Sequence, residues 1–153
     1  MNTPGNKFRQ AIADNNPLMV VGAVNAYCAK MAEKAGHKAL YLSGAGVANA
    51  SFGLPDLAIT TLNDVAEDSR RITQATNLPL LIDIDTGFGG ALSISRTIKE
   101  MIAADVAAVH IEDQVTQKRC GHRPNKSLVD KIEMSDRIKA AVDGRTDESF
   151  FIM

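Results

Sequence analysis

Residues Lys118-Arg119-Cys120-Gly121-His122-Arg123 set a thiol among cationic groups and an imidazole. A free thiol titrates at about 8.5, and neighbouring cations favour the thiolate. Gly121 removes side-chain bulk beside the sulfur and gives the segment freedom to move. Two readings stand on spacing alone: a reactive thiol on an active-site loop, or a solvated basic turn that contains a cysteine.

The acidic residues are as suggestive. In IDIDTGFGG (82–90), Asp83 and Asp85 are two apart at the end of an apolar run. On a strand that spacing projects both carboxylates from one face, where they repel unless a cation sits between them. Hard oxygen ligands without His or Cys suit Mg²⁺, with Mn²⁺ as the other option. The alternative is a pair of solvated loop aspartates. VHIEDQ (109–114) repeats the pattern, with His110 and Glu112 on one face. Glu112 could reach the same metal directly or through water, and His110 either joins the site or bonds a buried carbonyl. YLSGAG (41–46) ends another apolar run in small residues and a hydroxyl. Such a turn either exposes backbone N–H groups to a carboxylate or phosphate, or is simply a tight connection. GLPDL (53–57) puts Asp56 in a long connection of the kind that carries function on βα barrels.

These clusters need a scaffold that brings them together. The runs LMVVGAV (18–24), KALYLSG (38–44), LPLLIDI (78–84), VAAVHIE (106–112) and FFIM (150–153) are short and nearly all apolar, as in parallel strands covered on both faces. Helical patterns alternate with them. A leading helix spans about Pro4 to Ala13, and a first crossover runs from Asn25 to Ala35 with Gly36 just beyond its end. A second opens at Thr61 with Asp64 as an approximate capping box, and a third covers Ala91 to Ala104. The fourth opens with Asp130 and Glu133 and stops at Gly144. The order α(βα)₄β argues for an α/β protein, either doubly wound or part of a (βα)₈ barrel. A whole barrel takes about 250 residues. The 153 residues are therefore expected to be one domain, the N-terminal part of an incomplete barrel whose sheet edges are open.

Composition narrows the class of partner. Seventeen Lys and Arg stand against eighteen Asp and Glu, for a formal net charge of -1, and 45% of residues are hydrophobic. That balance suits a globular domain and argues against a nucleic-acid or anionic-membrane surface. No apolar run approaches the roughly 20 residues of a spanning helix, and no signal-peptide pattern opens the chain. Two lone cysteines make no disulfide framework and no CxxC zinc site. A cytoplasmic protein in a reducing compartment is the expectation.

Taken together, the clusters resemble the isocitrate lyase family. KRCGHR (118–123) is similar to its loop motif, and YLSGAG, GLPDL and DIDTGFG (83–89) match in the same order over nearly the whole chain. The Lys-Arg pair before Cys120, and the compact spacing from Asp83 to Cys120, resemble the short bacterial branch of the isocitrate lyase and phosphoenolpyruvate mutase superfamily that acts on 2-methylisocitrate. The resemblance implies a (βα)₈ barrel and Mg²⁺-dependent cleavage of (2S,3R)-2-methylisocitrate to pyruvate and succinate, in propionate catabolism. Isocitrate cleavage to glyoxylate and succinate, or a truncated pseudo-enzyme, are the alternatives. It implies a tricarboxylate substrate and a homotetramer that exchanges a C-terminal helix. Residue by residue, it implies that Asp83 and Asp85 anchor Mg²⁺, with Glu112 and Asp56 holding its water shell. Ser43, Gly44, Ala45 and Gly121 would bind substrate, with Tyr41 beside the reacting carbons. Cys120 would be the acid/base, supported by Lys118, Arg119 and His122. Such cleavage removes a hydroxyl proton and leaves a carbanion spread into a carboxylate, so a metal, nearby cations and a proton donor all have work to do. The family continues where this chain stops at Met153, so residues 1–153 alone are expected to be inactive. Two positions depart from the pattern: Ala45 replaces a frequent glycine, and Asp105 stands where a small residue is usual.

Overall fold

The computed structural model describes residues 3–153. Its elements follow the expected order: α1 (Pro4–Asp14), β1 (Val20–Gly22), α2 (Ala26–Lys34), β2 (Ala39–Leu42), α3 (Gly44–Gly46) running into a π-helical stretch (Val47–Ser51), α4 (Leu62–Ala75), β3 (Leu80–Asp83), α5 (Ala91–Ala103), β4 (Ala108–His110), α6 (Lys131–Gly144) and β5 (Phe151–Ile152). The five strands form one parallel sheet in sequence order, β1-β2-β3-β4-β5. That order is the wall of a (βα)₈ barrel; a doubly wound sheet would reverse direction partway.

Local chemistry accounts for the boundaries. Asn25 caps α2 through its side chain, and Gly36 takes φ +90° just past the helix, a conformation that costs glycine least. Thr61 and Asp64 form a reciprocal capping box on α4, and Asp130 accepts from the Glu133 N–H at the start of α6. Asp105 lies in the turn between α5 and β4 at φ +58°. Aspartate tolerates that left-handed region better than most residues, which gives this departure from the family pattern a local cause.

Strand alternation divides the interior in two. Leu40, Leu42, Leu80, Ile82 and Val109 face the helices, packing with Val65, Ile72, Ile94, Ile98 and Met101, all fully buried. The opposite face carries Ala39, Leu81 and Ala108 low in the sheet, and Tyr41, Asp83 and His110 at its carboxyl end. Register puts Tyr41 beside Leu81 and Asp83 beside His110. The apolar lower half is closed by α1, whose Phe8 meets Phe151 edge-on at 5.9 Å, with the Arg9 guanidinium 4.7 Å from the Phe151 ring.

Helix α1 is held there by the turn before β5. The Thr3 and Ser149 hydroxyls are 2.5 Å apart, and Arg9 Nε donates to the Ser149 carbonyl at 3.1 Å. Gly5 lies so close that a Cβ would run into the Ser149 backbone. Gly5→Ala is therefore expected to destabilise the protein by about 1–3 kcal/mol, the usual cost of overpacking, read as a lower urea midpoint with an unchanged slope. An unchanged midpoint would mean that α1 is not seated on Ser149.

The segment after β2 differs from the sequence expectation of a plain connection. Residues 44–51 are helical, and Ser51 Oγ donates to the buried Asp68 of α4 at 2.5 Å. Arg71 pairs with the other oxygen of Asp68 at 3.0 Å, so the segment is anchored to α4. π-helical turns are uncommon and concentrate at functional sites.

Candidate active site

The polar clusters converge at the carboxyl ends of the strands. Asp83 ends β3 with its side chain inside the sheet, 6% exposed. Its Oδ2 accepts from the Gly44 N–H at 3.2 Å and its Oδ1 from the Asp85 N–H at 2.9 Å. Asp85 is not on the strand, as the two-residue spacing predicts. It turns at φ +49° immediately beyond β3, because the glycine-rich DTGFGG segment leaves the sheet there. The carboxylates still converge: a Cβ on Gly44 would lie 3.0 Å from Asp85 Oδ1 and 3.2 Å from Asp83 Oδ2. Gly44 is thus a place where side-chain bulk is excluded. Its N–H is already used by Asp83, so the expected backbone anion nest at 43–45 lacks that donor. Ser43 ends β2 with no capping bond of its own, and Ala45 follows Gly44 in the helical turn.

The Lys118 ammonium enters this acidic group. It is 2% exposed, 2.6 Å from Asp56 Oδ1 and 2.5 Å from Asp85 Oδ1. The resemblance implies that it supports Cys120; the structure sets it between two of the protein's own carboxylates. Burial works against its charge, but hydrogen bonding and attraction from Asp56 and Asp85 outweigh that and raise its pKa. Asp85 is pushed up to about 6, first by burial and then by the charge of Asp83, with Lys118 pulling the other way. Asp85 Oδ1 is buried and receives no well-aligned hydrogen bond. The Lys118 charge at 2.5 Å is the partner that keeps it from being isolated. Part of the cation that the paired aspartates require is thus supplied by the chain itself.

On the other side of Asp83, Tyr41 Oη and His110 Nε2 are 2.9 Å apart, and their rings stack at 5.6 Å. His110 Nδ1 is 3.8 Å from Asp83 Oδ1. His110 therefore links a phenol to a carboxylate, and bonds no buried carbonyl. Burial first, then the Asp83 charge, pushes the Tyr41 hydroxyl up to about 12, so at neutral pH it is a donor. Tyr41 and His110 lie on adjoining inward positions of β2 and β4, either side of the aspartate strand.

The thiol loop closes the front. Cys120 and Arg119 line a cavity of about 550 Å³ together with Ala45, Asn49, Asp56 and Arg123. Cys120 Sγ is 3.9 Å from His122 Nδ1, and the Cys120 carbonyl accepts from the Arg123 N–H at 2.9 Å. Gly121 has no left-handed φ, and a Cβ there would meet only Glu112 at an ordinary 3.8 Å. Its carbonyl accepts from Lys126 at 2.5 Å. Glu112 Oε2 accepts from Gln114 Nε2 at 2.7 Å.

Spacing gave no sign of Gln114 or Arg137. Arg137, 8% exposed on α6, donates to the carbonyls of Gln114 at 2.8 Å and Glu112 at 3.4 Å, and pairs with Glu133 at 2.5 Å. A buried arginine on an otherwise amphipathic helix is the one signal that could have pointed to it.

A hard divalent cation fits the aspartate pair. Mg²⁺ is usually held by one or two carboxylates while keeping several waters. Asp83 and Asp85 are buried and converge on a spot kept free by Gly44, and Asp85 Oδ1, already paired with Lys118, lies beside it. Asp56 and Glu112 are not drawn into a cluster with them: among the described residues no three His, Cys, Asp or Glu side chains form a ready cage. Asp56 is turned to Lys118, and Glu112 to Gln114.

A parallel βα sheet with its polar residues gathered at the strands' carboxyl ends is the arrangement of a barrel of the TIM type, here a part of one. Comparison with known proteins agrees. Residues 8–153 match the family model described as phosphoenolpyruvate phosphomutase. The chain is 64% identical over 151 residues to the 2-methylisocitrate lyase of Vibrio cholerae, covering 99% of this chain and 49% of that protein. It is 67% identical over 149 residues to the 2-methylisocitrate lyase of Shewanella oneidensis, covering 97% and 51%. The solved structure of 2,3-dimethylmalate lyase, a member of the PEP mutase/isocitrate lyase superfamily, superposes with a TM-score of 0.89 at 37% identity, over 99% of this chain and 52% of that one. The chain belongs to the phosphoenolpyruvate mutase/isocitrate lyase superfamily. It spans about half the length of the curated relatives it matches. No helix among the described residues is long and apolar enough to cross a membrane.

Proposed function

We propose that the whole protein is a carbon–carbon lyase that cleaves (2S,3R)-2-methylisocitrate to pyruvate and succinate with Mg²⁺ or Mn²⁺. The observation that carries this reading is the cavity lined by Cys120, Arg119 and Asp56, with Asp56 ion-paired to the buried Lys118 that also meets Asp85, on a chain this similar to 2-methylisocitrate lyases. When bound at Asp83 and Asp85, the metal would act as a Lewis acid toward a 2-hydroxycarboxylate.

The chain's own residues do the rest. Gly44 keeps the metal-facing spot free of side-chain bulk, and Ser43 and Ala45 flank it in the helical turn. Tyr41, held by His110, presents a protonated hydroxyl to the polar mouth. Arg119 and Arg123 line the cavity and suit the carboxylates of a tricarboxylate substrate. Cys120 delivers a proton to the carbon left by bond cleavage, and the proton given up by the substrate hydroxyl restores the thiol, with His122 beside the sulfur. The loop that carries it keeps bulk water from the carbanion. Lys118 stays charged and balances Asp56 and Asp85 before and after the step.

The reading places activity in the whole protein, as a homotetramer of the cytoplasm, and none in residues 1–153 alone. The matching relatives are about twice as long. The test is pyruvate release from (2S,3R)-2-methylisocitrate with Mg²⁺, beside an isocitrate reaction assayed for glyoxylate. A chelator is expected to abolish pyruvate release and added Mg²⁺ to restore it. Equal or faster glyoxylate release would replace this substrate by isocitrate.

A further inference from the structure

The side chain of Gln114 has every polar hydrogen and its oxygen engaged, and the partners belong to both sides of the proposed site. Its Nε2 donates to Glu112 Oε2 at 2.7 Å and to the Arg119 carbonyl at 2.9 Å. Its Oε1 accepts from the Arg119 N–H at 3.1 Å. A primary amide carries two donors and an acceptor, and all are used here. Toward Arg119 the amide acts as a backbone unit would in a sheet, giving and receiving at a single residue. Gln114 is 3% exposed, although it follows two acids at the end of an apolar run.

The base under Gln114 is rigid. Its main chain bridges Leu128 in antiparallel fashion, flanked by bonds from Val115 to Ser127 at 2.9 Å and from Val129 to Asp113 at 2.8 Å. Its carbonyl takes the Arg137 guanidinium at 2.8 Å. These contacts close the loop between 115 and 127 at its stem. Among the described residues, hydrogen bonds and ion pairs tie the loop to its surroundings through Lys118 to Asp56 and Asp85, and through Arg119 to Gln114. The two points precede Cys120 directly in sequence.

We infer that Gln114 is the positioning residue that sets the Cys120 loop and the Glu112 carboxylate in one register. Glutamate in its place lacks the donors and sets a second carboxylate against Glu112. Asparagine keeps the amide but withdraws it by one methylene. Methionine fills similar space without any of the three hydrogen bonds. The catalytic consequence rests on the lyase reading above; the mechanical consequence does not.

Gln114→Met and Gln114→Asn in the whole protein separate the two. Tryptic cleavage after Arg119 and iodoacetamide labelling of Cys120, both read by mass spectrometry, report loop docking without any substrate. Each variant is expected to be cut after Arg119 about tenfold faster than wild type, as loss of two hydrogen bonds to a surface loop implies. Labelling of Cys120 rises in parallel, while cleavage sites in α2 and α4 stay protected. With substrate, kcat is expected to fall about tenfold or more with KM within about twofold, a split that simple loss of packing would not produce. Wild-type cleavage and labelling in both variants would overturn the inference. Faster cleavage in the variants, where the wild-type protein itself releases no pyruvate, would uphold it and defeat the lyase reading instead.

Discussion

Cys120→Ser in the whole protein is expected to lower kcat for pyruvate release by about 10²- to 10⁴-fold, the range a positioned proton donor supplies. The sulfur lies in the 550 Å³ cavity beside Asp56 and Arg119, with His122 3.9 Å away. Serine has nearly the same shape, and its hydroxyl is a far weaker acid than a thiol. The groups proposed to hold substrate and metal, Ser43 to Ala45 with Asp83 and Asp85, are untouched by the change. Calorimetry is therefore expected to give substrate and Mg²⁺ affinities within about threefold of wild type, because loss of a group that acts in the transition state leaves ground-state binding intact. Pyruvate release near the wild-type rate would remove Cys120 from the proton step.

Asp85→Asn tests the acidic group through stability. In the metal-free protein the Asp85 carboxyl is held up to about 6, by burial and by Asp83, against an ordinary 3.8. The folded protein then binds this proton more tightly than the unfolded chain. The corresponding stability is complete below the unfolded value and is lost as pH rises through about 6. A shift of this size corresponds to roughly 3 kcal/mol at 1.36 kcal/mol per unit. Asparagine holds the same volume without a charge. The difference in unfolding free energy between Asn and wild type is expected to move in favour of Asn as pH goes from 4.5 to 8 in urea titrations with a chelator present. Identical slopes in the two proteins would show that Asp85 carries no such strain. The same variant is expected to lose Mg²⁺-dependent pyruvate release, so the stability gained is bought with function.

Where sequence and structure agree, a repeating pattern or a cap underlies the agreement. The five apolar runs became the five strands, and Asn25, Thr61 and Asp130 cap the helices they were expected to start. Residues 44–51 were missed as a helix because Gly44-Ala45-Gly46 has no apolar period and a π turn has no sequence signature. The convergence of Asp83 and Asp85 was legible, but by strand spacing, and the real cause is a left-handed turn. Lys118 was legible as a site residue, but its pairing with Asp56 and Asp85 was not. The clue was available: acids gathered at strand ends require a buried cation, and a lysine is as good a source as an ion. Gln114 and Arg137 escaped because their partners are main-chain atoms at distances no spacing rule encodes.

The docking of α1 on Ser149 bears on how the chain is made. Thr3 and Ser149 are 146 positions apart, and the ring that meets Phe8 edge-on belongs to β5. During synthesis α1 emerges before β5, and its contacts with Ser149 and Phe151 cannot form until that strand has been added. At ribosomal speeds that interval is on the order of ten seconds. Throughout it, Phe8 can pack only on the surface that β2, β3 and β4 supply through Ala39, Leu81 and Ala108, so the last part of its seat closes with β5.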